Sequence, residues 1–401
     1  MILTLWLACS GPEEVAVTSA PAEEGVADVD ALRALGYLDA AEVDEGARSG
    51  LLFIDEARSQ PGYNLFLSRN LHRADLVDAQ GRVVHSWTYG DSGTWSRVVL
   101  EPDGSLLVVG SSDGPFEDGH QVDNSRFVMR LSWEGERLWR TSMHAHHDVT
   151  RTPEGKLLAL DFDYRVIPRT QPPQQFRDDQ ISLLDPETGE ELGRRSVVEI
   201  LGTRPDLLDL RPLPTMTAGG RSFVDLLHLN ALHFLPDLGL EGELYRPGNL
   251  LICSRHQDAI AIVNLDSGQL LWAWGPGEIS GPHDPSLLDN GNILVFDNGL
   301  ASQASRVIEV DPRTGQIVWE WKADPPQAFF TFSRGSAQRL ANGNTLVADS
   351  DQGRAFEVTP DGEVVWEFVN PNLLGPAQRA TINRMERLPA ELVEPLLEKG
   401  R

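Results

Sequence analysis

The chain has 401 residues and a formal charge of −26 at pH 7, from 34 Lys and Arg against 60 Asp and Glu. That excess repels a phosphate backbone or an anionic lipid surface at long range, which argues against nucleic acid as a partner. An anionic small substrate requires a site that is locally positive.

Residues 1–9 read as a short apolar run ending in Ala8 and Cys9, similar to the end of a bacterial lipoprotein signal peptide. Cys9 is then the lipidated residue, with membrane attachment through that lipid and a place in the cell envelope. Residues 10–48 are acidic and Ala-rich and read as a flexible tether, with one short helix around 31–38. From 49 to 385 the chain is strand and turn almost throughout, and Gly and Pro, 36 and 26 in the whole chain, punctuate apolar runs. Cys253 lies inside the run Leu250, Leu251, Ile252 and reads as a buried free thiol. Residues 386–401 form a C-terminal tail. In it Leu392, Val393, Leu396 and Leu397 have helical spacing, and Pro395 keeps any helix short.

One phrase recurs through the 49–385 region: an apolar strand, a turn with Asp or Gly, then a strand ending in Trp. Its turn glycines are Gly81, Gly135, Gly189, Gly268, Gly315 and Gly362, at steps of 54, 54, 79, 47 and 47 residues. Near-regular spacing of roughly 40–50 residues with four strands per unit is the pattern of a propeller. The expected fold is therefore all-β, a six-bladed β-propeller of four-stranded antiparallel blades with a short C-terminal helix. The first segment pairs with the last to close it, and seven blades is the rival count. Trp side chains fill the layers between blades. The long third step holds an insertion, about 206–222, expected as a loop over one face.

A second phrase interleaves with the first and begins each inner strand. His147 and Asp148 precede one, His228, Leu229 and Asn230 another, His283 and Asp284 a third, and Ser336, Ala337 and Gln338 a fourth. Inner strands of a propeller start near the axis, so His147, His228 and His283 are expected to converge in one funnel. Arg255 sits at the far end of the strand through Cys253 and reaches back toward the same place. Asp148, Asn230 and Asp284 suit turns, where they accept backbone N–H groups and orient the neighbouring imidazole. Asn230, Asp284 and His146 are also the substrate-contact candidates. His144, His233 and His256 read as loop residues. Phe162 and Tyr164 line an aromatic pocket or simply pack.

These phrases resemble the bacterial arylsulfate sulfotransferases of the propeller type, which use no nucleotide donor. The matching text runs through Gly62-Tyr63-Asn64-Leu65-Phe66, His146-His147-Asp148 and Asp225-Leu226-Leu227-His228-Leu229-Asn230. It continues through Ser254-Arg255-His256-Gln257, the stretch 281–299 and the stretch 335–344. The resemblance implies sulfuryl transfer from an aryl sulfate donor to a phenolic acceptor in two halves, through a sulfohistidine at His283. It implies sulfuryl binding by His228 and Arg255. It also implies a further histidine in the His146-His147 pair, where register with His283 favours His147 and His146 is the alternative. No cofactor and no metal are implied.

Elementary chemistry is compatible with that assignment. A nucleophilic imidazole must be neutral, and an ordinary pKa of about 6.5 allows it near pH 7. A guanidinium supplies a permanent charge and a planar fork for sulfuryl oxygens. The leaving phenolate needs a proton, which His147 or His228 can supply. The alternative reading is a non-catalytic propeller lipoprotein that binds a ligand or protein on its open face. A third reading, a divalent ion held by the histidines, is disfavoured by Arg255 beside them.

Overall fold

The computed structural model describes residues 40–44, 46–90, 93–112, 126–167, 174–218 and 221–399. Cys9, most of the 10–48 tether and the helix expected around 31–38 lie outside the described residues. The end of the tether region is structured, because Ala40–Glu42 pairs antiparallel with Gln378–Ala380.

The described residues are all-β apart from short helices, and the strands form six sheets of four or more strands and one of three. The first sheet joins Ile382–Leu388 to Tyr63–Ser68, Arg73–Val77 and Val83–Thr88; the second runs Thr94–Leu100, Leu106–Ser111, Arg126–Leu131, Arg137–Ser142. The third is Val149–Arg151, Leu157–Ile167, Gln174–Leu184 and Glu191–Ser196, with two added strands. The fourth runs Leu229–Phe234, Leu250–Ser254, Ala259–Asn264, Gln269–Trp274, and the fifth His283–Leu287, Ile293–Asp297, Arg306–Asp311, Gln316–Trp321. Ser336–Arg339, Thr345–Asp349, Arg354–Val358 and Val364–Val369 make the sixth, with Gly50–Ile54 on its outer edge. The first strand of each sheet neighbours the first strand of the next, and Ser336–Arg339 returns to Ile382–Leu388. The arrangement is propeller-like, closed by a C-terminal strand in the sheet begun by Tyr63–Ser68. That strand runs to Leu388, three residues past the boundary read from the sequence.

The repeated outer hairpins show why the phrase recurs. Gly81, Gly135, Gly189, Gly268, Gly315 and Gly362 all have φ between 66° and 95°, a left-handed turn that costs a residue with a Cβ but not glycine. The tryptophans do more than fill space. The indole N–H of Trp87 donates to Ser132 O in the next sheet, and that of Trp139 to Pro186 O. Trp274 donates to Gly315 O, Trp321 to Gly362 O, and Trp366 of the sixth sheet to Ala79 O of the first. Each ring buried between sheets contributes on the order of a few kcal/mol, and the N–H leaves no orphaned donor. Between the third and fourth sheets the helix Val197–Leu201 takes this place, and Thr203 Oγ1 accepts from Leu270 N–H.

Two expectations change. The 206–222 insertion is not only a loop, since Arg221–Asp225 returns to pair parallel with Gln174–Leu184, setting Arg177 opposite Asp225. The C-terminal helix Ala390–Lys399 continues through Pro395. Val393 and Leu396 are buried against the first and second sheets, and that packing offsets the backbone bond that proline removes. Cys253 is a buried free thiol, as expected.

Candidate functional site

Left-handed backbone marks the entrances of three inner strands. His147, His228 and Asp284 have φ of 53°, 48° and 48°, which costs a non-glycine residue about 1–2 kcal/mol. Neighbouring side chains hold that strain by tying each strand to the next sheet. Asp148 accepts the Leu232 N–H at 2.9 Å, Asn230 donates to Pro282 O at 2.8 Å, and Asp284 accepts the Ala337 N–H at 3.1 Å. Arg384, from the closing strand, ion-pairs with Asp284 and stands 3.9 Å from Asp148. Asp148, Asn230 and Asp284 are thus engaged between strands. The three entrances are not equivalent, because the left-handed residue is the histidine itself in two and the residue after it in the third.

His283 is buried, and its Nδ1 lies 2.7 Å from Asn298 Oδ1 and 3.0 Å from Gly281 O. The Asn298 amide is oriented by its own Nδ2, which donates to Thr331 O and Arg334 O at 2.9 and 2.8 Å. Both partners of His283 Nδ1 are therefore acceptors, so the proton sits on Nδ1 and Nε2 carries the lone pair. Burial, then the Arg255 charge, push its pKa down to about 3 against the hydrogen bond to Asn298. The ring stays neutral throughout the physiological range. Asn298 is a contributor the sequence reading did not single out. Its only signal was its place one residue past the strand that pairs with His283.

Arg255 follows the strand Leu250–Ser254, and its backbone N–H donates to His228 O at 3.3 Å. Its guanidinium stands over the Phe332 ring at 5.4 Å. His228 keeps a quarter of its side chain exposed, and its Nδ1 donates to Asp225 Oδ2 at 2.6 Å. Burial brings this imidazole down to about 4 although Asp225 pulls the other way. The His256 ring packs on it at 4.6 Å, with Nδ1 donating to Asp225 O. The His147 ring meets His228 at 5.1 Å from the other side. Burial holds His147 well below the usual imidazole range, with His146, His228, Arg177 and His283 adding to the effect.

Four histidines and Arg255 are thus brought together, and three further charged groups join them. Arg177 is buried, with Nη2 2.9 Å from Asp179, Nη1 3.6 Å from Asp225, and its plane 4.4 Å over Phe162. Burial raises the Asp225 carboxyl, but Arg177 and His228 outweigh it and keep Asp225 well below the usual range. Asp179 also accepts the Leu229 N–H at 3.0 Å, joining the third sheet to the fourth. Arg177 and Asp179 were missed because they look like ordinary charges on a long strand, and Asp225 stands beside them only because the insertion returns next to that strand. Tyr164 extends the aromatic wall, 5.6 Å from Phe162 and 5.1 Å from Phe223. His144 stacks on Phe162 at 4.8 Å. His233 lies apart, nearer Arg384 and Asp148.

Among the described residues, Asp225, His228 and His256 place ligand-type atoms within 4.8 Å of one another. The 2.6 Å from His228 Nδ1 to Asp225 Oδ2 is a hydrogen bond. Two ligands on one tetrahedral zinc stand about 3.3 Å apart. The cluster as built is a charge-assisted hydrogen-bond set around Asp225.

A buried, neutral imidazole beside a guanidinium and two further imidazoles suits transfer of an anionic group, and the sequence comparisons agree. A family model described as arylsulfotransferase (ASST) matches residues 109–371. The chain belongs to this family. As an arylsulfotransferase-family protein it has a sulfate donor and an acceptor as its class of substrates, and membership supports sulfotransferase function. No curated protein matches the sequence. Among solved structures, one similar chain is a protein of unknown function from Bacteroides caccae, at 14% identity and TM-score 0.49, covering 81% of this chain and 98% of that one. Another is virginiamycin B lyase from Staphylococcus aureus, at 11% identity and TM-score 0.44, covering 83% and 89%. A third is the Dos1 propeller, at 12% identity and TM-score 0.39, covering 86% and 78%. Likenesses this distant carry no functional argument.

Proposed function

We propose that this chain is a six-bladed propeller enzyme that moves a sulfuryl group from an aryl sulfate to a phenol by a ping-pong mechanism. The blade count rests on the six sheets whose inner strands neighbour one another in a closed circle. The observation that carries the chemistry is the pair of acceptors on His283 Nδ1, which leaves Nε2 as a lone-pair nucleophile within the field of Arg255. His283 Nε2 attacks sulfur, the S–O(aryl) bond breaks, and the group rests as sulfohistidine until a phenol oxygen displaces it. Arg255 and His228 hold the sulfuryl oxygens. His228 becomes a donor through Nε2 once the bound anion raises its proton affinity, with Asp225 stabilising the imidazolium through Nδ1. A preorganised, largely buried donor set of this kind is worth more than the same groups in water. Arg177 adds buried positive charge to a chain that is otherwise strongly acidic.

The test incubates pure protein with a chromogenic aryl sulfate, with and without phenol. Phenol-dependent release of the chromophore, plus a protein adduct of one sulfuryl group on His283, is the expected result. No turnover over a varied donor panel would return the chain to a binding module. The proposal includes attachment to the cell envelope through a lipid on Cys9. Fatty-acid labelling that persists in Cys9→Ala would defeat that part.

A further inference from the structure

We infer that Asp351 is a positioning residue for both His283 and Arg255, acting through the 331–334 segment that supports the two together. This deepens the sulfotransferase reading and rests on it.

The 331–334 segment joins the fifth sheet to the sixth, and three of its carbonyls serve the site. Thr331 O and Arg334 O accept from Asn298 Nδ2 at 2.9 and 2.8 Å, and Asn298 Oδ1 accepts from His283 Nδ1 at 2.7 Å. Phe332 O accepts from Arg255 Nη2 at 3.4 Å, and the Phe332 ring lies 5.4 Å from the guanidinium. The nucleophile and the guanidinium come from different sheets, yet they rest on the same four residues. The two carbonyls on Asn298 also decide its amide orientation. Were that amide to turn over, its NH₂ would face His283 Nδ1 and the proton would move to Nε2, removing the lone pair that attacks sulfur.

The segment's own N–H groups are taken by Asp351. Its Oδ2 accepts from Phe332 N–H at 2.6 Å and from Ser333 N–H at 3.3 Å, and its Oδ1 accepts from the Ser333 hydroxyl at 3.1 Å. The Asp351 N–H donates to Thr331 Oγ1 at 2.8 Å, so the link runs in both directions. Three donors on one carboxyl suit its ionised form. That negative charge supports the partly buried Arg255 cation, as do Asp225 and Asp258. Asp351 lies in the 3₁₀ turn Ser350–Gln352, which Ser350 Oγ ties to Asn383 O of the closing strand at 3.0 Å. A second tie lies at the Thr331 end, where Ser305 Oγ accepts the Thr331 N–H at 3.0 Å and donates to Asn298 O at 2.9 Å.

The segment needs such ties because residues 331–335 belong to no strand. Arg334 has φ 65°, a left-handed backbone that disfavours a residue with a Cβ. Without Asp351 two backbone N–H groups lose their acceptor, and the peptides that carry Thr331 O and Phe332 O are free to rotate. One distant carboxylate thus sets both the tautomer of His283 and the place of the Arg255 charge.

The experiment compares full-length Asp351→Ala and Asp351→Asn with wild type, after circular dichroism establishes that each is folded. Asp351→Ala should slow adduct formation from 4-nitrophenyl sulfate by ~10²-fold in single-turnover kinetics. It should also weaken donor binding ~3–10-fold, an effect that arrives through Arg255. Asp351→Asn keeps one carbonyl oxygen for the two N–H groups and should recover more than half of the rate loss on a logarithmic scale. In an Asn298→Ala background Asp351→Ala should cost about fivefold less than in wild type, because part of its effect passes through that amide. Nitrogen NMR should report the Nδ1–H form of His283 in wild type and a share of Nε2–H in Asp351→Ala. Fully multiplicative losses with Asn298→Ala, or an unchanged His283 tautomer, would overturn the inference and leave the transferase reading intact. Should Asp351→Ala not fold, Asp351→Asn takes its place: a loss that shrinks beside Asn298→Ala supports the inference, and a multiplicative one overturns it. A wild-type chain inert to every donor would overturn the transferase reading, and the tautomer readout, which needs no turnover, would still decide whether Asp351 positions His283.

Discussion

The outer hairpins and the inner entrances are built from two repeats of the same period, yet they have diverged to different degrees. Outside, the same device recurs from sheet to sheet: a left-handed glycine turn and a tryptophan whose N–H reaches a carbonyl of the next sheet. Inside, the heads and their surroundings vary, with histidine (His147, His228, His283) at three entrances and Ser336 at a fourth. The outer layer holds six similar sheets together, so one solution serves at most junctions. The inner layer faces a single shared space, where each imidazole is given different partners: Asn298 for His283, Asp225 for His228. Repetition outside marks stability, and divergence inside marks chemistry.

Substitutions in the two layers should separate cleanly. The largest effect belongs to His283→Ala, which should remove the sulfuryl adduct and lower turnover by ~10⁴-fold or more, read by rapid quench and intact mass. Its melting temperature should stay near that of wild type. Arg255→Lys keeps the charge but not the planar fork, and should lower kcat/KM by ~10²–10³-fold in steady-state assays. Asn298→Ala releases the His283 tautomer. A loss of ~10–100-fold in the rate of adduct formation, with donor affinity little changed, is expected in single-turnover kinetics.

Acid should weaken the fold through the inner layer. His283, His228 and His233 have folded pKa values of about 3, 4 and 4, below the ~6.5 of an unfolded chain. Between these values the unfolded state binds more protons than the folded one. Stability is therefore full above pH ~6.5 and falls as pH drops toward 3, by up to about 1.4 kcal/mol per pH unit for each such histidine. Urea denaturation from pH 7.5 to 4 should show this slope, and His233→Gln, away from the reacting groups, should flatten it. The smallest effect is expected for Trp366→Phe, which removes the N–H bond to Ala79 O but keeps most of the ring. It should cost about 1–2 kcal/mol in the denaturation midpoint and leave turnover near wild type. A large activity loss there would blur the contrast between the layers.

Much of this was legible from residue order. The glycine steps and terminal tryptophans point to repeated four-stranded units, since a 2-residue side-chain period and a turn requiring φ > 0 leave a local signature. His147, His228 and His283 come together because each opens an inner strand, and the strand count alone brings those openings to one place. The choice within His146-His147 was legible only as a preference for His147 from its register with His283, with His146 as the alternative. The left-handed backbone at His147 is what sends the two adjacent rings different ways. Arg177 and Asp179 look like ordinary strand charges until the insertion returns as a parallel strand and places Asp225 beside them. The 206–222 segment, read as a loop, thereby leads into the strand that carries Asp225 to the site.

Local sequence determined the strands, the turns and which imidazoles would stand near the axis, because these depend on periodicity and on backbone preferences of single residues. Tertiary structure decided which nitrogen of each imidazole bears the proton and which charges are buried beside it. Those properties are set by partners on other strands, such as Asn298 for His283 and Asp161 for His146, and by charges from other sheets, such as Arg255 beside His283, and no pattern within a single strand encodes them.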